Sequence, residues 1–183
     1  RGRIIFPIHS ASGRVLGFGA RTLLKEKKIA KYFNSPENPI YNKSEILYGL
    51  YYSKGGIIKN DNCYICEGYT DVISLFQSGI SNVVSSSGTS LTKGQIKLIQ
   101  RYTKNITILY DGDSAGIKAS FRGIDLILEQ GLNVKIVLFP EGEDPDSFAK
   151  NHSETELKNF LIEEAQDFIS FKSSVLLKDA QED

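Results

Sequence analysis

From residue 63 onward, short apolar runs alternate with stretches of helical periodicity, and this alternation limits the fold more than any other feature of the chain. Four runs predict β-strands: "CYICEG", "NVVSSSG", "NITILYDGD" and "NVKIVLFPEG". The stretches between them predict helices. Strands this short and apolar are typical of a sheet that is covered on both faces. The pattern therefore predicts an α/β fold with a parallel four-stranded sheet flanked by helices.

Capping signals give the expected helix boundaries. Thr70 is expected to cap the first of these helices, with Gly79 just after its end. Thr92 begins the second helix, and the third extends from Ser114 to Gly131. After residue 150, "SETELKNFLIEEAQDFISFKSSVLLK" predicts a helical tail.

The first sixty residues have a different character. "RIIFPIHSASGRVLGFGARTL" places two apolar runs around the turn "SASG" and predicts a β-hairpin. The following stretch, up to Lys43, contains two prolines and five lysines and predicts an irregular loop. "SEILYGLYYSKGGIIKND" is helical in part, with an expected interruption at Gly55 and Gly56. This part of the chain is therefore expected to form a small mixed α/β subdomain.

The formal net charge of zero hides a split between the two parts of the chain. Residues 1–60 carry 11 Lys and Arg against 3 Asp and Glu, which gives +8, and residues 61–183 carry 11 against 19, which gives −8. Such asymmetry indicates nucleic-acid contact by the basic part, and a merely solvated basic face is the equally weighted alternative. No apolar run reaches the roughly 18 residues of a membrane span. The chain starts at Arg1 and contains no Met, so we interpret it as a piece of a longer protein.

The two cysteines form a lone CxxC at Cys63 and Cys66. A zinc site needs about four ligands, and the sequence offers neither a second cysteine pair nor histidines at ligand spacing. The favoured interpretation is a pair of reduced thiols in a buried strand, and a redox motif is the alternative. No zinc is expected in this part of the protein.

Acidic side chains follow the predicted strands at the edge where parallel α/β sheets bind ligands. Clustered carboxylates repel one another, and they persist together when a cation or a proton compensates their charge. Oxygen ligands suit Mg²⁺ or Mn²⁺, and two such ions can assist phosphoryl transfer. The side chains that the predicted sheet brings to this edge are Glu67, Asp71, Asp111, Asp113, Asp144 and Asp146.

The tripeptide "DGD" at 111–113 is a weak signal by itself, because it is also common in turns. An Asp-x-Asp at a strand end also opens the haloacid-dehalogenase phosphatases, in which the first aspartate is a nucleophile. Those folds lack a matching glutamate on an earlier strand. Glu67 two strands before Asp111 therefore makes the pattern much more restrictive.

At "EGYTDV" (67–72) and "DGDSAG" (111–116) the sequence resembles the Toprim module of bacterial primases, topoisomerases and some nucleases. The flanking segments "RIIFPI", "GRVLGFGAR", "KYFNSPE", "LYGLYYSK", "SSSGTSLT" and "PEGEDPDSF" resemble the catalytic core of bacterial DnaG-type primases over nearly all of residues 1–150. The resemblance implies a basic, partial N-terminal subdomain at 1–60, a Toprim metal-binding domain at 61–150 and a helical C-terminal extension at 151–183.

In that family the core copies a single-stranded DNA template into a short RNA primer, by two-metal nucleotidyl transfer from NTPs. The resemblance implies that Glu67, Asp111 and Asp113 are catalytic and hold Mg²⁺ or Mn²⁺. It places Asp71 and the pair Asp144 and Asp146 in the same metal-binding cluster. Whether Glu67 is a base or a metal ligand stays open.

The resemblance also implies a set of contacts to nucleic acid or nucleotide phosphates. Each has a structural alternative: solvated loop charges for the lysines, packing for the tyrosine, and an ion pair for the arginine. The candidates are Arg21, Lys31, Tyr32, Asn34 and Lys43.

Further partners follow from the same resemblance. They are the RNA–DNA hybrid product and a replicative helicase, which the family binds through a domain not expected in this chain. The family works in the bacterial cytoplasm, at the replication fork, and not at a membrane. The alternatives are another Toprim enzyme, namely a metal-dependent nuclease or a topoisomerase fragment, and a non-catalytic binding module with a structural ion.

Overall fold

The chain begins with a small antiparallel sheet. The structure is a computed structural model, and it describes residues 2–24, 30–88, 90–111 and 114–182. Strands β1 (Arg3–His9) and β2 (Val15–Thr22) form the predicted hairpin. A third strand, β3 (Tyr32–Asn34), pairs with β2 inside the stretch that was expected to be an irregular loop. Its aromatic residues favour a strand once a partner edge is available.

A short 3₁₀ helix at Lys43–Glu45 and helix α1 (Leu50–Asn60) connect the two sheets. The expected interruption of α1 at Gly55 and Gly56 is wrong, because the helix continues through both glycines. A Cβ atom on Gly56 would lie 2.4 Å from the carbonyl oxygen of Ser81, whereas one on Gly55 would meet nothing within 4 Å. Gly56 therefore permits a close approach of α1 to Ser81, in the turn that precedes the strand Val83–Ser85 of the central sheet.

The central sheet contains the four predicted parallel strands and one further strand within the described residues. In sequence order they are β4 (Cys63–Cys66), β5 (Val83–Ser85), β6 (Asn105–Tyr110), β7 (Asn133–Leu138) and β8 (Gln166–Asp167). Their spatial order is β5-β4-β6-β7-β8, and only the edge strand β8 is antiparallel to its neighbour. The sequence did not predict β8, because two exposed polar residues carry no strand periodicity.

Helices cover both faces of this sheet. They are α2 (Tyr69–Gln77), α3 (Lys93–Gln100), α4 (Ser114–Glu129), α5 (Pro145–Asn151), α6 (Glu154–Glu163) and α7 (Phe168–Glu182). Their apolar faces form one buried cluster around Ile106 and Ile124 and another around Leu109 and Leu157. Burial on both sides of the sheet confirms the layered α/β architecture. Within the described residues, no helix has the length and the apolar character needed to cross a bilayer.

The start of α2 differs from the expectation. Thr92 caps α3 as predicted, but Thr70 lies inside α2, and Gly68 occupies the capping position. The side chain of Asp71 accepts a hydrogen bond from the backbone N–H of Gly68 at 2.8 Å. The capping carboxylate therefore comes from within the first turn, which brings the start of the helix closer to Glu67.

An aromatic cluster joins the small sheet to α2. The ring of Phe6 stacks on that of Tyr69 with centroids 5.0 Å apart, and Ile8 and Tyr41 complete the buried cluster. A Cβ atom on Gly19 would lie 2.6 Å from the Tyr69 ring, so this position of β2 accepts only glycine without rearrangement. The cluster holds β2 and β3 over the start of α2.

Candidate active site

A cleft of about 490 Å³ lies between the small sheet and the carboxyl-terminal edge of the central sheet. It brings together most of the site residues predicted from the sequence. Those that line it are Arg21, Lys31, Tyr32, Asn34, Glu67, Asp71, Asp111, Asp144 and Asp146. The structure does not bring Lys43 to this cleft, since it lines a separate small cavity beside Tyr41 and Ile46. Asp113 lies outside the described residues.

Two acidic side chains mark the ends of adjacent strands. Glu67 follows β4 and Asp111 follows β6, and these strands are direct neighbours in the sheet. The two strands are parallel, so both residues reach the same edge. Glu67 is exposed and Asp111 is partly buried. The topology therefore delivers the predicted convergence of these two acidic residues on one cleft.

Asp71 is the most buried carboxylate of the cleft, with 8% of its surface exposed. Its pKa is raised from 3.8 to about 6, mainly by burial; the hydrogen bond from the Gly68 N–H lowers the pKa, and the nearby carboxylates of Asp144, Asp146 and Glu67 raise it. A group of this kind gains from a cation that compensates its charge.

The raised pKa of Asp71 predicts a pH-dependent stability in the absence of divalent cations. The folded state keeps the Asp71 proton up to about pH 6, whereas the unfolded state loses it near 3.8. The stabilisation is therefore complete below about pH 4 and is lost as the pH rises through 6, a change of about 3 kcal/mol. Asp71→Asn is expected to be more stable than the wild type at pH 8 in EDTA, with a difference that shrinks toward pH 4.5. Urea unfolding at both pH values measures it, and a difference independent of pH contradicts it.

Asp144 and Asp146 have defined partners at the start of α5. The Asp144 carboxylate caps this helix by accepting the N–H of Ser147 at 2.7 Å. Asp146 accepts hydrogen bonds from the Ser74 hydroxyl and from the Lys150 ammonium, the latter at 2.7 Å. Burial acts to raise the pKa of Asp146, but these two hydrogen bonds outweigh it and lower the pKa. Asp146 is therefore a charged carboxylate in a fixed orientation.

The donor chemistry of the cleft fits a hard divalent cation. Its acidic lining consists of carboxylates, which are the oxygen ligands that Mg²⁺ and Mn²⁺ prefer. Within the part of the chain that the structure describes, no three Asp, Glu, His or Cys side chains are close enough to hold one ion together.

The opposite wall is cationic and aromatic. Arg21 of β2 and Tyr32 of β3 are directly opposite each other in the antiparallel pairing of these two strands. The Arg21 guanidinium lies 5.6 Å from the centroid of the Tyr32 ring, and the Lys31 ammonium lies 5.9 Å from it. Both are within the range of a cation–π interaction. The ring thus holds two positive charges beside a cleft whose other wall is negative.

Asn34 has a structural role that the sequence did not reveal. Its side-chain oxygen accepts the Tyr69 hydroxyl at 2.9 Å, and its nitrogen donates to the backbone carbonyl of Ser87 at 3.3 Å. It therefore ties β3 both to α2 and to the loop after β5.

Sequence reasoning also missed several residues of the cleft lining. Gly68, Tyr69 and Thr70 belong to the start of α2, and Ser87 and Gly88 to the loop after β5. Ser87 has a φ of 59°, which is uncommon for a residue other than glycine. The available signal was the run of small residues in "SSSGTS", since small residues allow backbone close to a ligand.

The cysteines are buried free thiols. Cys63 has no exposed surface and Cys66 has 2%, and burial raises the pKa of both thiols. A redox-active cysteine needs an accessible thiol with a lowered pKa. The structure therefore supports the interpretation of this CxxC as part of a buried strand.

Comparison with known families agrees with this arrangement. A family model described as "Toprim-like" matches residues 64–149, and one described as "DNA primase catalytic core, N-terminal domain" matches residues 1–54. The two ranges together cover most of the chain, and the boundary between them falls at the end of α1.

Individual relatives point the same way. The DNA primase of Clostridium acetobutylicum is 44% identical, over 99% of this chain and 30% of that protein. A DNA primase domain from Pseudomonas aeruginosa is 37% identical with a TM-score of 0.89, over 98% of this chain and 56% of that one. A DnaG primase catalytic domain bound to ssDNA is 36% identical with a TM-score of 0.87, over 98% and 58%. The chain spans about a third of the curated relative, and on its fold, its cleft and these matches it belongs to the DnaG-type DNA primase family, as part of the catalytic core.

Proposed function

We propose that the cleft is the site at which the whole protein copies a single-stranded DNA template into a short RNA primer from NTPs. The observation that carries this proposal is the opposition of two walls in one cleft. Carboxylates from the strand ends form one wall, and the Arg21–Tyr32–Lys31 group forms the other. Nucleotidyl transfer needs both, because the reacting phosphates carry negative charge and the cations that bind them need carboxylates. The related catalytic domain that binds ssDNA supports the choice of template.

The carboxylates would hold the divalent cation. We assign Glu67, Asp111 and Asp113 as its principal ligands, with Asp71, Asp144 and Asp146 in the surrounding cluster. When bound, Mg²⁺ or Mn²⁺ would supply activation of the primer 3′-hydroxyl and charge neutralisation at the pyrophosphate. The protein itself contributes orientation. Asp71 is held by Gly68, and Asp146 by Ser74 and Lys150, so these carboxylates are arranged before a substrate arrives.

The basic wall would bind phosphates and bases. Arg21 and Lys31 lie within cation–π distance of the partly buried Tyr32 ring, so a nucleotide phosphate that enters the cleft meets two positive charges beside an aromatic side chain. Binding of this kind weakens as salt is raised. Asn34 remains a candidate contact in the cleft, and its amide also holds β3 in place through its bonds to Tyr69 and Ser87. Lys43 remains a candidate contact for nucleic acid outside the cleft.

The same proposal covers organisation and partners. It divides the chain at residues 1–60, 61–150 and 151–183, although β8 adds residues of the last unit to the edge of the central sheet. For the whole protein, the proposed partners are the RNA–DNA hybrid product and a replicative helicase. The proposed place of action is the replication fork in the cytoplasm.

An assay of the full-length protein tests the proposal. Given a single-stranded DNA template and NTPs, it is expected to make RNA oligomers with Mg²⁺ or Mn²⁺ and none when EDTA removes the cation. Labelled DNA incubated without NTPs is the control, and it should stay intact. Cleavage of that DNA without any RNA synthesis would overturn the proposal in favour of a nuclease or topoisomerase.

A further inference from the structure

Ser74 connects the acidic wall of the cleft to the helix that carries its last two carboxylates. It lies in α2, with 7% of its surface exposed, and its hydroxyl donates a hydrogen bond to Oδ1 of Asp146 at the start of α5. The other oxygen of Asp146 accepts the Lys150 ammonium at 2.7 Å. A carboxylate with both oxygens bonded to donors has one defined orientation.

The positions of these residues on their helices give the contact its consequence. Ser74 lies three residues after Asp71, so the two side chains share one face of α2. Asp146 lies two residues after Asp144, the cap of α5. The Ser74–Asp146 hydrogen bond therefore fixes the part of α5 that carries Asp144 against the part of α2 that carries Asp71.

A second hydroxyl joins the same two helices without touching the acidic residues. Ser78, one turn after Ser74 and at the C-terminal cap of α2, donates to the backbone carbonyl of Ala149 in α5 at 3.2 Å. The two serines make the same kind of contact between the same pair of helices. They differ in their acceptor, which is a cleft carboxylate for Ser74 and a backbone carbonyl for Ser78.

We propose that Ser74 is a positioning residue of the active site, which orients Asp146 and keeps Asp144 and Asp71 in register for the divalent cation. The proposal rests on the proposed function of the cleft. Groups that orient ligands in this way typically change metal affinity by 10- to 100-fold when they are removed. A buried donor to a charged acceptor is also more effective than a surface contact, because water does not replace it well.

Mn²⁺ binding tests this role without any catalytic turnover. The full-length protein, with neither template nor NTP, is titrated with Mn²⁺, and free Mn²⁺ is followed by electron paramagnetic resonance. Ser74→Ala is expected to weaken Mn²⁺ binding by about tenfold. Ser78→Ala is the matched control, and its Mn²⁺ affinity is expected to stay within about twofold of the wild type. Primer synthesis should show the same order, with kcat reduced for Ser74→Ala and unchanged for Ser78→Ala.

The outcomes separate this proposal from the function on which it rests. If the wild type neither binds Mn²⁺ nor makes primers, the proposed function fails. If the wild type does both and Ser74→Ala binds Mn²⁺ as tightly, or Ser78→Ala loses as much affinity, the positioning role is overturned. Should Ser74→Ala not fold, Ser74→Cys keeps the volume and replaces the hydroxyl by a weak donor, and the same tenfold loss is expected.

Discussion

Glu67→Gln is expected to lower primer synthesis by the full-length protein by roughly 10³-fold while leaving its folding stability unchanged. Glu67 is exposed at the end of β4 and faces the cleft, so its removal leaves no cavity and no unpaired buried group. Glutamine keeps the size of the side chain and removes its charge. A loss of activity therefore reports the negative charge that Glu67 needs at this point of the cleft, whether it acts as a metal ligand or as a base.

The measurement is steady-state primer synthesis at saturating template and NTP, with urea unfolding of the same preparations. Asp111→Asn, at the end of the neighbouring strand, is expected to show a loss of similar size. Glu163→Gln is the control, because it removes the same charge from an exposed position of α6 that does not line the cleft. Near-normal primer synthesis by Glu67→Gln would mean that Glu67 does not take part in the reaction. It would also contradict the inference that the strand ends of the central sheet form the active site.

Two adjacent glycines of α1 are expected to respond in opposite directions to the same substitution. Gly56→Ala should lower the free energy of unfolding by about 2 kcal/mol, because the new methyl group would lie 2.4 Å from the Ser81 carbonyl oxygen. The neighbour of that methyl is backbone, so the helix itself must move away from the central sheet. Gly55→Ala should raise the free energy of unfolding by about 0.5–1 kcal/mol, because its methyl meets nothing and alanine is the better helix former.

Urea unfolding of both variants and the wild type in the same buffer makes the comparison. Helix propensity is the same for two neighbouring interior positions, so the difference between the variants isolates the contact with Ser81. Equal stabilisation by both substitutions would mean that α1 is not held against the turn before β5, and would contradict the packing described above.

Most of the central domain could be predicted from the sequence. Local apolar periodicity predicts the four parallel strands and the helix after each of the first three. It can be recognised without the tertiary structure, because it depends only on residues that are close in the sequence. The convergence of Glu67 and Asp111 could also be predicted, because parallel strands end at one edge whatever their order. The role of Asp113 stays a prediction, since this residue lies outside the described part of the chain.

Other features depend on contacts between distant residues. Threonine is a common capping residue, so Thr70 was expected to cap α2. In the structure the Asp71 carboxylate accepts the Gly68 N–H, and α2 begins at Tyr69. Strand β3 was hidden in a stretch rich in lysine and proline, since its pairing partner is supplied by β2. Asn34 was expected to contact nucleic acid, and this stays a prediction; that its amide also bonds to Tyr69 and Ser87 could not be predicted from the sequence. Local sequence carries no information about such partners.

The sequence by itself determined the layered α/β architecture, the edge at which the acidic residues gather and the resemblance to primases, because each follows from short-range patterns or from motifs. Only the tertiary structure decided that the small basic sheet lies over that edge. Stacking of Phe6 on Tyr69, with Gly19 leaving room for the ring, holds it there. Phe6 and Tyr69 are more than sixty positions apart in the sequence, so no local pattern predicts their contact. The packing places a cationic wall opposite the carboxylates, and the two walls together form the cleft.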